Sequence, residues 1–352
     1  MVIKSHRKRF KKPKKDYFLD PNRKEVAWEL APPFGIKSVL ILVILSIVLT
    51  FSGKKVEVDK MLFMVSEAAV ALVGLKDDSQ VLDGAHKLIS SMLPLQFSET
   101  REISRIENFD PEQIPRFTRI IEREISRSVV DPNTLQVSKS VSVTTELYHP
   151  FGYLIYVCKK MLETIEIAIW ATLFALVISI PLAYFSASNY SPNKISYVVS
   201  RATVSFFRAV PELISAMFLV LAFGFGPIAG IMALAIHSAG FLGKFFAEDV
   251  ENADKGAQRA LEAIGVSKLL ILRYAVLPQV LPQYVAYSLY ILDRNIRMAT
   301  VIGIVGAGGI GQELKGRYDM FEYGHVATIL LMIFITVFIL DQISSKIRKR
   351  IM

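Results

Sequence analysis

The run GAGGIG, Gly306–Gly311, sets Gly306, Gly308 and Gly311 in GxGxxG spacing behind the β-branched stretch Val301–Val305. Gly309 stands between them. That spacing suits a strand–turn–helix cradle for a dinucleotide, because glycines let backbone N–H groups approach phosphate oxygens. The flanks are apolar and helical, with no alternation of strands and helices, which favours a packed glycine break beside a membrane helix. Two pairs of charges lie four residues apart in apolar surroundings: Arg208 with Glu212, and Asp293 with Arg297. Four-residue spacing on a continuous helix places both members on one face. Charges inside a bilayer face a bundle interior or an aqueous pathway, so these pairs suit contact with a passing anion, a gate, or a structural ion pair. His237, in another apolar run, suits a ligand contact or a hydrogen-bonded packing role. No GxxxxGK[ST] loop and no HExxH occur, and the five histidines are scattered. Cys158 stands alone, which excludes a disulfide within this sequence and a multi-cysteine metal site.

The elements that must position these residues are apolar runs of bilayer length, each about 20 residues. The first spans 36–52, and Ile167–Phe185 follows with Pro181 inside it. Val204–Phe223 carries Arg208 and Glu212, Gly226–Leu242 carries His237, and Val280–Val305 carries Asp293 and Arg297. A sixth run centres on Val326–Leu340. Met61–Leu75 is short and carries Glu67, so it reads as a helix of the outer region. Phe117–Val130 reads as an amphipathic helix.

Charge then orients the spans. The 352 residues are 52% hydrophobic yet 21% charged, with mean hydropathy +0.41, so the charges must be segregated along the chain. Residues 1–15 hold eight basic residues and no acidic one, which accounts for all but one of the net +9. The segment closing with Lys346, Arg348, Lys349 and Arg350 is basic too. Both runs abut apolar segments without interleaved aromatics, so they mark the cytoplasmic side rather than a nucleic-acid arm. Six spans put both termini on that side. Residues 53–160 then lie outside, with fourteen Lys/Arg against fifteen Asp/Glu between Lys54 and Lys160.

The segment between the fourth and fifth spans, Ala247–Gln283, is the most specific feature. A charged helix, Gly265, and an apolar helix ending at Leu277-Pro278 resemble the loop that marks membrane permeases of ABC-type importers. That loop reads Glu-Ala-Ala, three residues, Gly, nine residues, Ile, one residue, Leu-Pro. Ala260, Gly265, Leu277 and Pro278 fall in register, while Arg259, Leu261 and Ala275 stand where the family has Glu, Ala and Ile. RAVPEL (208–213), GFGPIAG (224–230), AVLPQ (275–279) and RMATVIGIVGAGGIG (297–311) resemble the phosphonate-transport permeases, over about residues 160–350.

The resemblance implies an all-α integral membrane protein with about six transmembrane helices, like a type I ABC importer permease, with an extracytoplasmic insert. Its parts are a basic cytoplasmic tail (1–35), a first transmembrane helix (36–52) and an extracytoplasmic region (53–160). A permease core (161–345) follows, with its cytoplasmic coupling loop at 247–275, and then a second basic tail (346–352). Arg259, Ala260, Glu262, Ala263, Gly265, Val266, Leu277 and Pro278 are implied in ATPase coupling. Arg208, Glu212, His237, Asp293, Arg297 and the glycines of 306–311 are implied in the pathway or gate. The chain itself would carry no cofactor, with ATP and magnesium held by partner ABC ATPase subunits. The other partners are an extracytoplasmic substrate-binding protein, a second permease copy and the lipid bilayer of a bacterial inner membrane. The cargo would be phosphonate, phosphite or phosphate. An amino-acid permease, a membrane enzyme using GAGGIG on a nucleotide, and a sensor with its ligand site in 53–160 remain as alternatives.

Overall fold

The computed structural model describes residues 36–72, 79–106, 117–130 and 137–351; the basic tail of 1–35 lies outside the described residues. Two compact units divide at Asp83/Gly84. The first holds α1 (Ile36–Lys55) and α2 (Val58–Leu72). α1 is long and apolar enough to cross a membrane. α2 buries no residue and, at 15 residues, is shorter than a span requires. α3 (Gln80–Met92) carries the chain across the division.

The second unit opens with β1 (Glu99–Glu102), β2 (Arg119–Val130) and β3 (Val137–His149), an antiparallel sheet in the order β1-β3-β2. Arg119–Val130 is thus a strand where the periodicity predicts a helix over Phe117–Val130. Arg119–Val130 pairs residue by residue with β3, from Arg119↔Tyr148 to Val130↔Val137. The run is rich in isoleucine and valine, and a cross-strand partner decides such ambiguous patterns.

The rest is helical. α4 (Gly152–Ser186) starts well before the expected Ile167 and runs through Pro181 unbroken. Next come α5 (Lys194–Ala209), α6 (Glu212–Phe223) and α7 (Pro227–Asn252). The short α8 (Lys255–Ala263) and α9 (Lys268–Ile271) lead through a π-turn at 272–276 into α10 (Leu277–Gly303). α11 (Gly309–Asp319) and α12 (Tyr323–Ile351) complete the chain. Among the described residues five helices are long and apolar enough to cross a membrane, and six if the bent pair α5 and α6 is one broken span.

That pair corrects the expected continuous span Val204–Phe223: α5 and α6 meet at 90°. Pro211 has no N–H to continue the ladder and forces Val210 out of helical geometry, to φ −81°, ψ 120°. Arg208 and Glu212 therefore sit on two different helices.

α4 and α7 form the spine of the bundle. Ala168, Ala171 and Ala175 on one and Ala229, Ala233 and Ala239 on the other are buried. Small side chains let two backbones approach closely, which is where membrane helices gain contact energy. The two ends of the bundle are bound differently. At one, Tyr153 N and Leu154 N donate to Phe97 O, and Thr328 Oγ1 donates to Gln96 O at 2.8 Å. At the other, the Arg201 guanidinium grips the Glu251 carboxylate at 2.9 and 3.0 Å.

Candidate functional site

Three places collect the residues singled out in the sequence. The first is the α8–α9 segment. Asp254 caps α8, its carboxylate accepting from Gly256 N at 3.2 Å, and Gly265 turns the chain at φ +78°. A side chain there meets nothing within 4 Å, so the glycine is required by backbone conformation alone. Arg259, Ala260, Glu262, Ala263, Leu277 and Pro278 are exposed, and Val266 is half-buried. Ile264 is 74% and Leu269 64% exposed. An apolar surface of this kind, next to charged residues, suits a protein partner.

One side chain ties α8 to the bundle. Tyr190 Oη donates to Gln258 Oε1 at 3.1 Å, while Gln258 Nε2 donates to the carbonyls of Ala253 and Asp254. Burial, and then the charge of Glu262, push the Tyr190 phenol above its ordinary range and keep it a donor. Sequence reasoning missed Gln258 and Tyr190, because neither belongs to the loop pattern and their pairing spans 68 residues.

The second place is mid-bundle. Glu212, the first residue of α6, reaches α7 and α10 instead of Arg208. Its carboxylate pairs with Arg294 and lies 3.0 Å from His237 Nε2. His237 Nδ1 lies 3.1 Å from the Val210 carbonyl, which can only accept. The ring therefore donates through Nδ1, and Nε2 lies 3.0 Å from both the Glu212 carboxylate and the Arg294 guanidinium. His237 thus repairs the carbonyl freed by the helix break. The guanidiniums of Arg208 and Arg294 each sit 4.8 Å from the centroid of the Phe241 ring. Phe241 and Arg294 carried no motif signal. Beside them Ser238, Asn295 and Thr172 form a buried hydrogen-bonded chain across α7, α10 and α4. Asp293 and Arg297 do pair, at 2.6 Å, as their spacing predicts. They line a cavity of about 590 Å³ with Tyr287, Tyr290, Asp341 and Arg348.

The third place is the glycine run. Val301–Gly303 ends α10 and no strand precedes the loop, which removes the fold a dinucleotide cradle needs. Gly306, Gly308 and Gly309 all have left-handed φ, from +70° to +94°. At Gly311 a Cβ would lie 2.0 Å from Thr300 O. The N-terminus of α11, where a phosphate would bind, is already filled. Gly309 N donates to Glu163 Oε1 at 3.1 Å and Ile310 N to Thr164 Oγ1 at 2.8 Å. A carboxylate at a helix N-terminus satisfies both the free N–H groups and the helix dipole. The run is a packed joint between α10, α11 and α4.

Comparison with known proteins agrees with the helical fold. Residues 179–352 match the family described as binding-protein-dependent transport system inner membrane component. HtxE of Stutzerimonas stutzeri, a permease protein named for a phosphite transport system, is 52% identical over 260 residues, 74% of this chain and 100% of HtxE. PhnE of Mycolicibacterium smegmatis, a phosphate-import permease protein, is 41% identical over 189 residues, 54% of this chain and 36% of PhnE. Among solved structures, a chain of the inward-facing MetNI methionine ABC transporter is 22% identical with a TM-score of 0.50, covering 56% of this chain and 96% of that one. At that identity the likeness shows the fold.

Proposed function

The chain belongs to the binding-protein-dependent transport system inner membrane components, and on that premise we propose that it is the permease through which an ATP-driven importer moves a phosphorus oxyanion, phosphite foremost, into the cytoplasm. It is a transport component and not an enzyme. The observation that carries the cargo is the match to HtxE over its whole length. Phosphate and phosphonate share the tetrahedral geometry and charge of phosphite.

In this reading an ABC ATPase subunit docks on the exposed faces of α8 and α9, around Ile264 and Leu269. Arg259, Glu262, Ala263, Gly265 and Val266 lie at that contact. ATP and magnesium are bound by the ATPase, and a binding protein delivers cargo at the opposite end, beside Gly152 and Tyr323. Both termini lie in the cytoplasm, and a second permease copy completes the pathway. ATP binding would push α8. The push passes through Gln258 to Tyr190 in the turn between α4 and α5, and through α9 and the π-turn into α10. α10 carries Asp293, Arg294 and Arg297, so its displacement changes the mid-bundle charges directly.

The test is reconstitution in proteoliposomes with its partner ATPase and binding protein. ATP hydrolysis is measured with phosphite, phosphate, methylphosphonate and methionine. Stimulation by phosphite supports the reading, and stimulation by methionine alone contradicts it.

A further inference from the structure

We propose that Arg208 and Arg294, held against the ring of Phe241, form the contact through which the bundle passes a small tetrahedral oxyanion, with the Glu212 carboxylate occupying Arg294 between passages. This deepens the phosphorus-oxyanion reading above and rests on it.

The charges at this place do not balance. Arg208 and Arg294 contribute two positive charges and Glu212 one negative, while His237, bound through Nδ1 to the Val210 carbonyl, adds no negative charge in either protonation state. At least one positive charge is left over among the described residues at this place. An uncompensated guanidinium away from water is costly unless an anion arrives to share it. The excess lies on Arg208, which makes no ion pair among the described residues. Its Nε is shielded from solvent and meets no acceptor there. The planar N–H fork of a guanidinium matches the edge of an oxyanion.

The neighbourhood is built to hold that side chain in place. Phe241 lies against both cations. Gly240 leaves the space Arg208 needs, since a Cβ there would stand 2.9 Å from Arg208 Cγ and 2.8 Å from Phe207 Cβ. Glu212 begins α6 at the Pro211 break and mimics the oxyanion on Arg294. A monoanion that displaces the carboxylate takes its place on Arg294, with Arg208 on the same Phe241 ring, and the returning carboxylate expels it. Asp293 and Arg297 do not qualify, because their charges cancel each other.

The test uses the full complex with its ATPase, and inorganic phosphite as probe. In complexes that still copurify with the ATPase, Arg208→Gln is expected to lower ATP-driven phosphite uptake about tenfold or more. Glu212→Gln removes the resident carboxylate. It is expected to raise phosphite binding to the purified complex without binding protein about tenfold, while slowing uptake. Unchanged uptake in Arg208→Gln, or unchanged binding in Glu212→Gln, overturns the proposal. Should Arg208→Gln fail to assemble, Arg208→Lys keeps the charge and loses the fork; several-fold loss supports the proposal and wild-type uptake overturns it. A lipid phosphate offers the same chemistry. Native mass spectrometry showing a phospholipid lost in Arg208→Gln while phosphite uptake persists assigns the contact to a headgroup and overturns the proposal. A wild-type complex that imports methionine and not phosphite removes the parent reading, whereas phosphite import indifferent to Arg208 removes only this contact.

Discussion

Two glycines in this chain, one in a turn and one in a helix, are needed for opposite reasons. Gly265 sits in open space, where an added Cβ meets nothing within 4 Å, while at Gly311 a Cβ would stand 2.0 Å from Thr300 O. Around Gly265 the apolar side chains of Ile264 and Leu269 face outward; around Gly311 the neighbours Ile310 and Ala307 are fully buried. A glycine that turns an exposed, apolar loop marks a surface awaiting a partner. One among buried neighbours marks a joint of the fold. In sequence the two look alike, and the tighter motif, GAGGIG, is the one without ligand chemistry.

Substitutions can break or sharpen that contrast. The largest effect is expected at Gly311. Gly311→Val drives a side chain into the Thr300 carbonyl and should cost ~3 kcal/mol or more, seen as loss of folded protein from the membrane fraction. A folded, thermally stable Gly311→Val would remove the packed-joint account. Next, Ile264→Asp should abolish copurification with the ATPase while changing stability by no more than ~0.5 kcal/mol, as for an exposed site. Destabilisation there would show that the residue packs within this chain. Gly265→Ala introduces left-handed strain of about 1–2 kcal/mol, and should weaken ATPase stimulation while the protein still inserts. Gln258→Ala is the mildest. Losing the Tyr190 hydrogen bond should cost about 1 kcal/mol, with hydrolysis retained and cargo moved per ATP reduced.

Legibility in the sequence follows the range of the interactions. Apolar runs report themselves within one segment, so the spans containing His237 and Asp293 could be placed from composition. The Asp293–Arg297 pair could too, since four-residue spacing is local. Pro211 was visible as a residue, but a 90° break depends on what catches the freed Val210 carbonyl, and His237 lies 27 residues away. Glu212 looked like the partner of Arg208 because the helix was assumed continuous; its true partner, Arg294, is 82 residues distant. The strand Arg119–Val130 was misread for the same reason, its partner β3 being another segment. The α8–α9 segment stood out because its glycine, its Leu-Pro end and its spacing are all local.

The most direct test of the account is ATP-driven accumulation of labelled phosphite in vesicles containing this chain, its ATPase and its binding protein. The account predicts accumulation with the wild-type chain and none with Ile264→Asp, because that substitution detaches the motor from an otherwise intact bundle. Accumulation unaffected by Ile264→Asp, or accumulation of methionine in place of phosphite, would contradict it.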